Sequence, residues 1–157
     1  MIQRIQSLFL LVAAVCFGWA CFMPIGTLNA VEISYIYTPW VLKQDIVNGL
    51  NIRETYYIGL LQAMLAILSF AAIFFYKNRA LQSKICTAAI IISFILLVVM
   101  LVVYPNRVFP NMPLTQGLEV VYSLWALLSV LPVGLLYLAN KFIMQDEKKV
   151  RAADRLR

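Results

Sequence analysis

Apolar and polar residues do not alternate along most of this chain; they separate into long blocks. Four apolar runs stand out, from Ile5 to about Met23, from about Tyr56 to Tyr76, from Ile85 to Tyr104, and from about Leu118 to Ala139. Each approaches the roughly 20 helical residues that span a hydrocarbon layer of about 30 Å. None carries Asp, Glu, Lys or Arg in its middle. In the third run 13 of 20 residues are Ile, Leu, Val or Phe. At roughly −0.3 to −0.6 kcal/mol each, they favour insertion by about 4 to 8 kcal/mol. A helix on the surface of a soluble bundle would show a polar face every 3.6 residues, and IIISFILLVVMLVVY shows none. The pattern predicts an all-α membrane protein, a bundle of four transmembrane helices forming one domain over residues 1–157.

The segments between the runs differ in character. LNAVEISYIYTPWVLKQDIVNGLNIRE is long for a connector, and VEISYIY places Val31, Ile33, Tyr35 and Tyr37 on one side at a period of two, as a strand does. Asn48-Gly49 between Ile46-Val47 and Leu50-Ile52 is a hairpin signal. A small β-hairpin-like cap on the extracytoplasmic face is expected, serving either as a binding surface or as a lid over helix ends. PNRVFPNMPLTQG, with Pro105, Pro110 and Pro113, is expected to be irregular and to pack against that cap. Pro132, inside the fourth run, predicts a static kink rather than a hinge.

Charge sets the expected orientation. With the N-terminus inside, the cytoplasmic cations are Arg4, Lys77, Arg79, Lys84, Lys141, Lys148, Lys149, Arg151, Arg155 and Arg157, leaving Lys43, Arg53 and Arg107 outside. Ten against three predicts both termini in the cytoplasm of a bacterial inner membrane. The net charge of +6 is absorbed by that bias, so no nucleic-acid partner is expected. The opening run also has the outline of a signal peptide, but LNA before Val31 puts Leu where a small residue is needed, so a retained helix is expected. Small residues four apart, Ala14 and Gly18, Gly59 and Ala63, Ala89 and Ser93, suit close helix packing within the bundle, or else oligomerisation.

Candidate chemistry is sparse. Histidine is absent, and Cys16, Cys21 and Cys86 lie in apolar runs without a CxxC pair. No phosphate loop, HExxH or GxSxG occurs. No ionisable residue lies at membrane depth, where Gln62 and a few hydroxyls are the polar side chains, which disfavours a proton-coupled transporter. Glu32, Asp45, Glu54 and Glu119 match no cation-binding loop and are expected to pair with Lys43, Arg53 and Arg107. Neither catalytic nor metal nor cofactor residues are therefore expected.

The remaining feature is the ending, QDEKKVRAADRLR, in a basic tail over residues 140–157. Continued as a helix, it places Glu147 four residues before Arg151, Lys148, Arg151 and Arg155 on one face, and Val150, Ala153 and Leu156 in a thin apolar line. MIQRIQSLFLL and LANKFIMQDEKKVRAADRLR resemble the two ends of a Bacteroidota family of four-span inner-membrane proteins known as domain of unknown function 4293. The family's closing pattern D-E-x-x-V-R-x-A-D-R-L-R is matched by Asp146, Glu147, Val150, Arg151, Ala153, Asp154, Arg155, Leu156 and Arg157. The resemblance spans the chain in length and layout and implies location and topology, without a reaction. The expected function is a non-enzymatic accessory or scaffold subunit. It would meet membrane lipids and dock a protein partner through Lys148, Arg151, Asp154, Arg155 and Arg157. The alternatives are a solvated tail held by anionic lipid heads, and a small transporter or hydrophobic-ligand-binding protein.

Overall fold

In an apolar medium a long run of backbone satisfies its own polar groups by forming a helix, and each of the four runs does so. The computed structural model describes residues 2–29, 34–45, 51–108 and 119–154. The helices are α1 (Ile2–Ala20), α2 (Tyr56–Phe74), α3 (Arg79–Val98) and α4 (Leu127–Asp154). Three helical stretches, Tyr56–Phe74, Arg79–Asn106 and Leu124–Val150, are long and apolar enough to cross a membrane, and Ile5–Ala20 is a shorter apolar helix. α1 packs on α2 and α4, and α3 packs on the same two, closing a cycle. Leu10, Phe17, Leu65, Leu96 and Leu136 fill its interior. Outward faces expose Leu8, Val15, Ile67, Phe94, Leu131 and Tyr137, while Gln62, Ser69, Ser93 and Ser129 are buried. Apolar side chains outside with polar ones inside is the reverse of a soluble bundle.

Element boundaries move relative to the hydropathy runs. α3 begins at Arg79 rather than near Ile85, after a 3-10 turn over Phe75–Lys77, and the Asn78 side chain caps it by accepting from the Leu81 N–H at 3.2 Å. The fourth run does not start as a helix. Glu119–Tyr122 is a strand, Ser123 caps a 3-10 turn over Leu124–Ala126, and only then does α4 begin. α4 runs through Pro132 without interruption and carries 28 residues to Asp154, about 42 Å at 1.5 Å per residue.

The cap is larger than a hairpin. Strands β1 (Gly26–Asn29), β2 (Ser34–Tyr37), β3 (Val41–Gln44), β4 (Asn51–Glu54) and β5 (Glu119–Tyr122) form a sheet in the order β4-β3-β2-β1-β5. All its pairings are antiparallel. Tyr35 and Tyr37 are buried on one face, as the period of two predicts, whereas Val31, Ile33 and Asn48-Gly49 lie outside the described residues. Gly26 stands opposite both Tyr37 and Tyr122. A Cβ there would come within 2.6 Å of the Val121 carbonyl oxygen, so the β1–β5 pairing requires glycine at this position.

The sheet is fitted to the helix ends by specific hydrogen bonds. Trp40 Nε1 donates to the Cys21 carbonyl at 2.7 Å, beyond α1, and its ring occupies the space a Cβ at Gly59 would need. The Gly59 N–H, in the first turn of α2, donates to the Pro39 carbonyl at 3.0 Å, and Thr55 Oγ1 donates to the Thr38 carbonyl at 2.8 Å. One of the orphan N–H groups of α2 is thereby satisfied by the β2–β3 turn.

Of the segment expected to be irregular, only residues 105–108 are described, and Pro110 and Pro113 lie outside the described residues. Beyond α3 the chain continues as a π-helical segment over Val99–Val108 that contains Pro105. Proline has no N–H, so the Leu101 carbonyl loses its partner in an α register and the Met100 carbonyl in a π register. These are the two carbonyls the sheet supplies: Tyr37 donates to Met100 at 3.2 Å and Tyr122 to Leu101 at 2.7 Å. Tyr37 also stacks on Tyr104 at 6.3 Å. Burial raises the pKa of both hydroxyls above the ordinary phenol range, and a phenol is in any case protonated at neutral pH and able to donate. Tyr37→Phe should lower stability by about 1 to 3 kcal/mol. Pro105→Ala, which restores a backbone donor, should recover part of that loss in the Tyr37→Phe background; thermal unfolding of the four proteins of this double-mutant cycle in detergent measures the coupling, and strict additivity would disprove it.

Candidate functional site

Polar groupings link the helices at several places, and two of them bury the side chains involved most fully. The first crosses the middle of the cycle. Gln62 Nε2 on α2 donates to Ser129 Oγ on α4 at 2.8 Å, with both side chains buried. α2 and α4 are the helices that are not neighbours in the cycle, so this bond spans its interior. Gln62 Oε1 and Ser69 Oγ are buried without partners among the described residues. Interhelical hydrogen bonds in membrane proteins contribute only about 0.6 kcal/mol on average. An unpaired buried acceptor costs about 1 to 3 kcal/mol. The pair therefore fixes the rotation of two helices more than it stabilises them.

The second grouping lies at the end opposite the sheet, where α1 starts and α4 runs on. Asp146 accepts from Gln6 Nε2 at 3.0 Å and approaches Arg79 Nη1 at 3.9 Å. Its side chain is only 13% exposed. One carboxylate thus ties α1, α3 and α4 together and brings the beginning and the end of the chain to one end of the molecule. Nearby, Gln82 Nε2 donates to the Ala72 carbonyl at 3.0 Å, fastening α3 to the last turns of α2.

The expected docking residues lie just beyond Asp146. Lys148 and Lys149 are exposed on α4. Arg151 and Asp154 occupy helical positions whose side chains are not described, and Arg155 and Arg157 lie outside the described residues. The backbone is helical to Asp154, as the tail pattern expects. Sequence reasoning treated Asp146 as one member of the tail pattern and missed its role as a tie. Its partners Gln6 and Arg79 lie 140 and 67 positions away, and no local spacing points to them.

The described residues hold no group of three His, Cys, Asp or Glu arranged for a metal. Cys16, Cys21 and Cys86 are free, and the Cys21 thiol donates to the Phe17 carbonyl at 3.3 Å. Asp45 accepts from Ser34 Oγ at 3.3 Å within the sheet.

Helices of this kind, with apolar outer faces and polar side chains turned inward, are compatible with a membrane protein. The chain belongs to the family described as domain of unknown function (DUF4293), which it matches over residues 2–156. No curated protein matches the chain.

Asp146→Ala removes the acceptor for both Gln6 and Arg79 and should destabilise by about 1 to 3 kcal/mol. Asp146→Asn keeps an oxygen for Gln6 and should lose less. Melting temperatures in detergent rank the two; equal losses would mean that the Arg79 charge pairing dominates.

Proposed function

We propose that this protein is a non-enzymatic accessory or scaffold subunit of a bacterial inner membrane. Its four helices cross the bilayer, with both ends in the cytoplasm and the sheet on the outer face. The tail beyond Asp146 docks a protein partner through Lys148, Arg151, Asp154, Arg155 and Arg157. The observation that carries this reading is the continuity of α4, one helix from Leu127 to Asp154 whose rotation is pinned at Asp146 by Gln6 and Arg79. A helix held in this way presents a fixed face, which suits recognition of a partner surface better than a loose charged end does. The ten-to-three distribution of cations supports the orientation.

The experiment is affinity purification from native membranes of the wild-type chain and of a variant with residues 148–157 scrambled at constant composition. Asp146 stays in place, so the helix bundle keeps its tie. Loss of specific partners on scrambling is expected; an unchanged partner set rejects docking and leaves charge alone as the role of the tail.

A second reading, a small transporter or lipid-binding protein, is favoured by an apolar groove of about 480 Å³ beside the start of α4, lined by Ser123, Leu124, Trp125, Leu127, Leu128 and Leu131. Brominated fatty acid should then quench Trp125 fluorescence saturably in a Trp19→Phe, Trp40→Phe background. Quenching that only rises in proportion to bulk lipid rejects a site.

A further inference from the structure

The seam between α3 and α4, on the half of the molecule away from the sheet, carries a closed circuit of polar side chains. Ser83 Oγ donates to Asn140 Oδ1 at 2.8 Å, Asn140 Nδ2 donates to Thr87 Oγ1 at 3.1 Å, and Thr87 Oγ1 donates back to the Ser83 carbonyl at 2.9 Å. Lys84 and Lys141 each follow a member of this circuit in sequence, one on either helix, and both are exposed. Across the seam they lie at nearly one level, because each is a single 1.5 Å step from the Ser83–Asn140 bond. Neither lysine has a carboxylate partner among the described residues. The second N–H of the Asn140 amide is also without a partner among them.

The level of the seam matters. Tyr137 and Leu138 are exposed one turn before Lys141 on α4, and Ile91 is exposed two turns beyond Lys84 on α3. Counted from the sheet end, the first exposed cations of α3 and α4 thus appear at this height, with Leu81 and Met144 exposed one turn further on. If α3 and α4 cross a bilayer, that height is the headgroup layer, where an anionic phosphate meets long ammonium side chains that reach outward from apolar stems.

We propose that the α3–α4 seam is a binding site for the headgroup phosphate of an anionic phospholipid. Lys84 and Lys141 supply the charge and the Asn140 amide a hydrogen bond. The site rests on the four-span reading above, and it is separate from the docking face beyond Asp146. The hydrogen-bonded circuit gives it something that scattered interfacial lysines lack, a polar floor fixed between two helices. Holding Asn140 by Ser83 and Thr87 aims the remaining N–H without further ordering cost.

Native mass spectrometry of the full chain in mild detergent, titrated with phosphatidylglycerol or phosphatidylcholine, tests the site. Wild type should retain phosphatidylglycerol in preference. Lys84→Gln with Lys141→Gln should lower that retention about 30-fold, the ratio that about 1 kcal/mol for each of two lysines represents. Lys84→Arg with Lys141→Arg should keep it, which separates charge loss from misfolding. Lys43→Gln with Lys149→Gln, two exposed lysines outside both the seam and the docking set, serves as the control for net charge and should change it little. Equal loss in that control, or full retention in the double glutamine variant, overturns the site. Carbonate extraction of wild-type membranes separates the two levels: a chain that carbonate releases rejects the four-span reading itself, whereas a retained chain without lipid preference rejects only the site.

Discussion

Pro105 is the constraint around which the sheet end of the molecule is arranged. A proline near the end of a long apolar helix leaves backbone carbonyls without donors, and in apolar surroundings such groups must find partners. Met100, the carbonyl that Pro105 fails in the π register, accepts from Tyr37, and Leu101, the one it would fail in an α register, accepts from Tyr122; the tyrosines come from strands on either side of Gly26. The glycine allows β5 to approach β1 closely, the approach brings the second tyrosine into reach, and the two hydroxyls hold the π-helical segment against the sheet. The sheet is therefore part of the hydrogen-bonding of α3 rather than a decoration on the bundle. Trp40, Thr55 and Gly59 make the corresponding attachment to α1 and α2. The reading of the segment between α1 and α2 as a lid gains a physical basis from these bonds: it covers helix ends by supplying partners to them.

How much of this was legible in the sequence follows from the range of the interactions. The helices were visible because each is a continuous run whose length and lack of charge are local properties. Tyr35 and Tyr37 were visible as an alternating pair for the same reason. β5 was not, because Glu-Val-Val-Tyr sits at the head of an apolar run and reads as the start of a helix until its pairing with residues 90 to 96 positions earlier is known. The π-helical continuation through Pro105 was hidden too. The prolines of PNRVFPNMPLTQG argue locally for an irregular loop; at Pro105 the segment is helical, with Tyr37 and Tyr122 bonded to it from the sheet, while Pro110 and Pro113 lie outside the described residues. The turn at Asn48-Gly49 falls outside the described residues, although the strands it would connect, β3 and β4, pair antiparallel.

The same limit applied to the candidate sites. Gln62 was noticed because an amide in an apolar run is conspicuous, yet its partner Ser129 is 67 positions away. Ser83, Thr87 and Asn140 are unremarkable residues individually, and only their junction at the α3–α4 seam gives Lys84 and Lys141 a common setting. Cations that looked like an orientation signal in the sequence acquire distinct roles in three dimensions. Arg79 approaches Asp146, Lys84 and Lys141 flank a polar seam, and Lys148 and Lys149 remain exposed on the tail.

α4 connects these levels. It follows β5 after one 3-10 turn, with the Ser123 N–H donating to the Ile25 carbonyl beside β1, and it then meets polar partners at Ser129, Asn140 and Asp146. Each contact is weak by itself, but three of them spaced over 17 residues fix a long helix both in height and in rotation. Apolar packing in a lipid-like medium does this poorly, since one greasy face substitutes for another at little cost. Fixing α4 at Asp146 also fixes the direction in which Lys148 and Lys149 project. Polar side chains inside this protein therefore serve geometry more than stability, and the geometry they define carries on along α4 to the exposed Lys148 and Lys149.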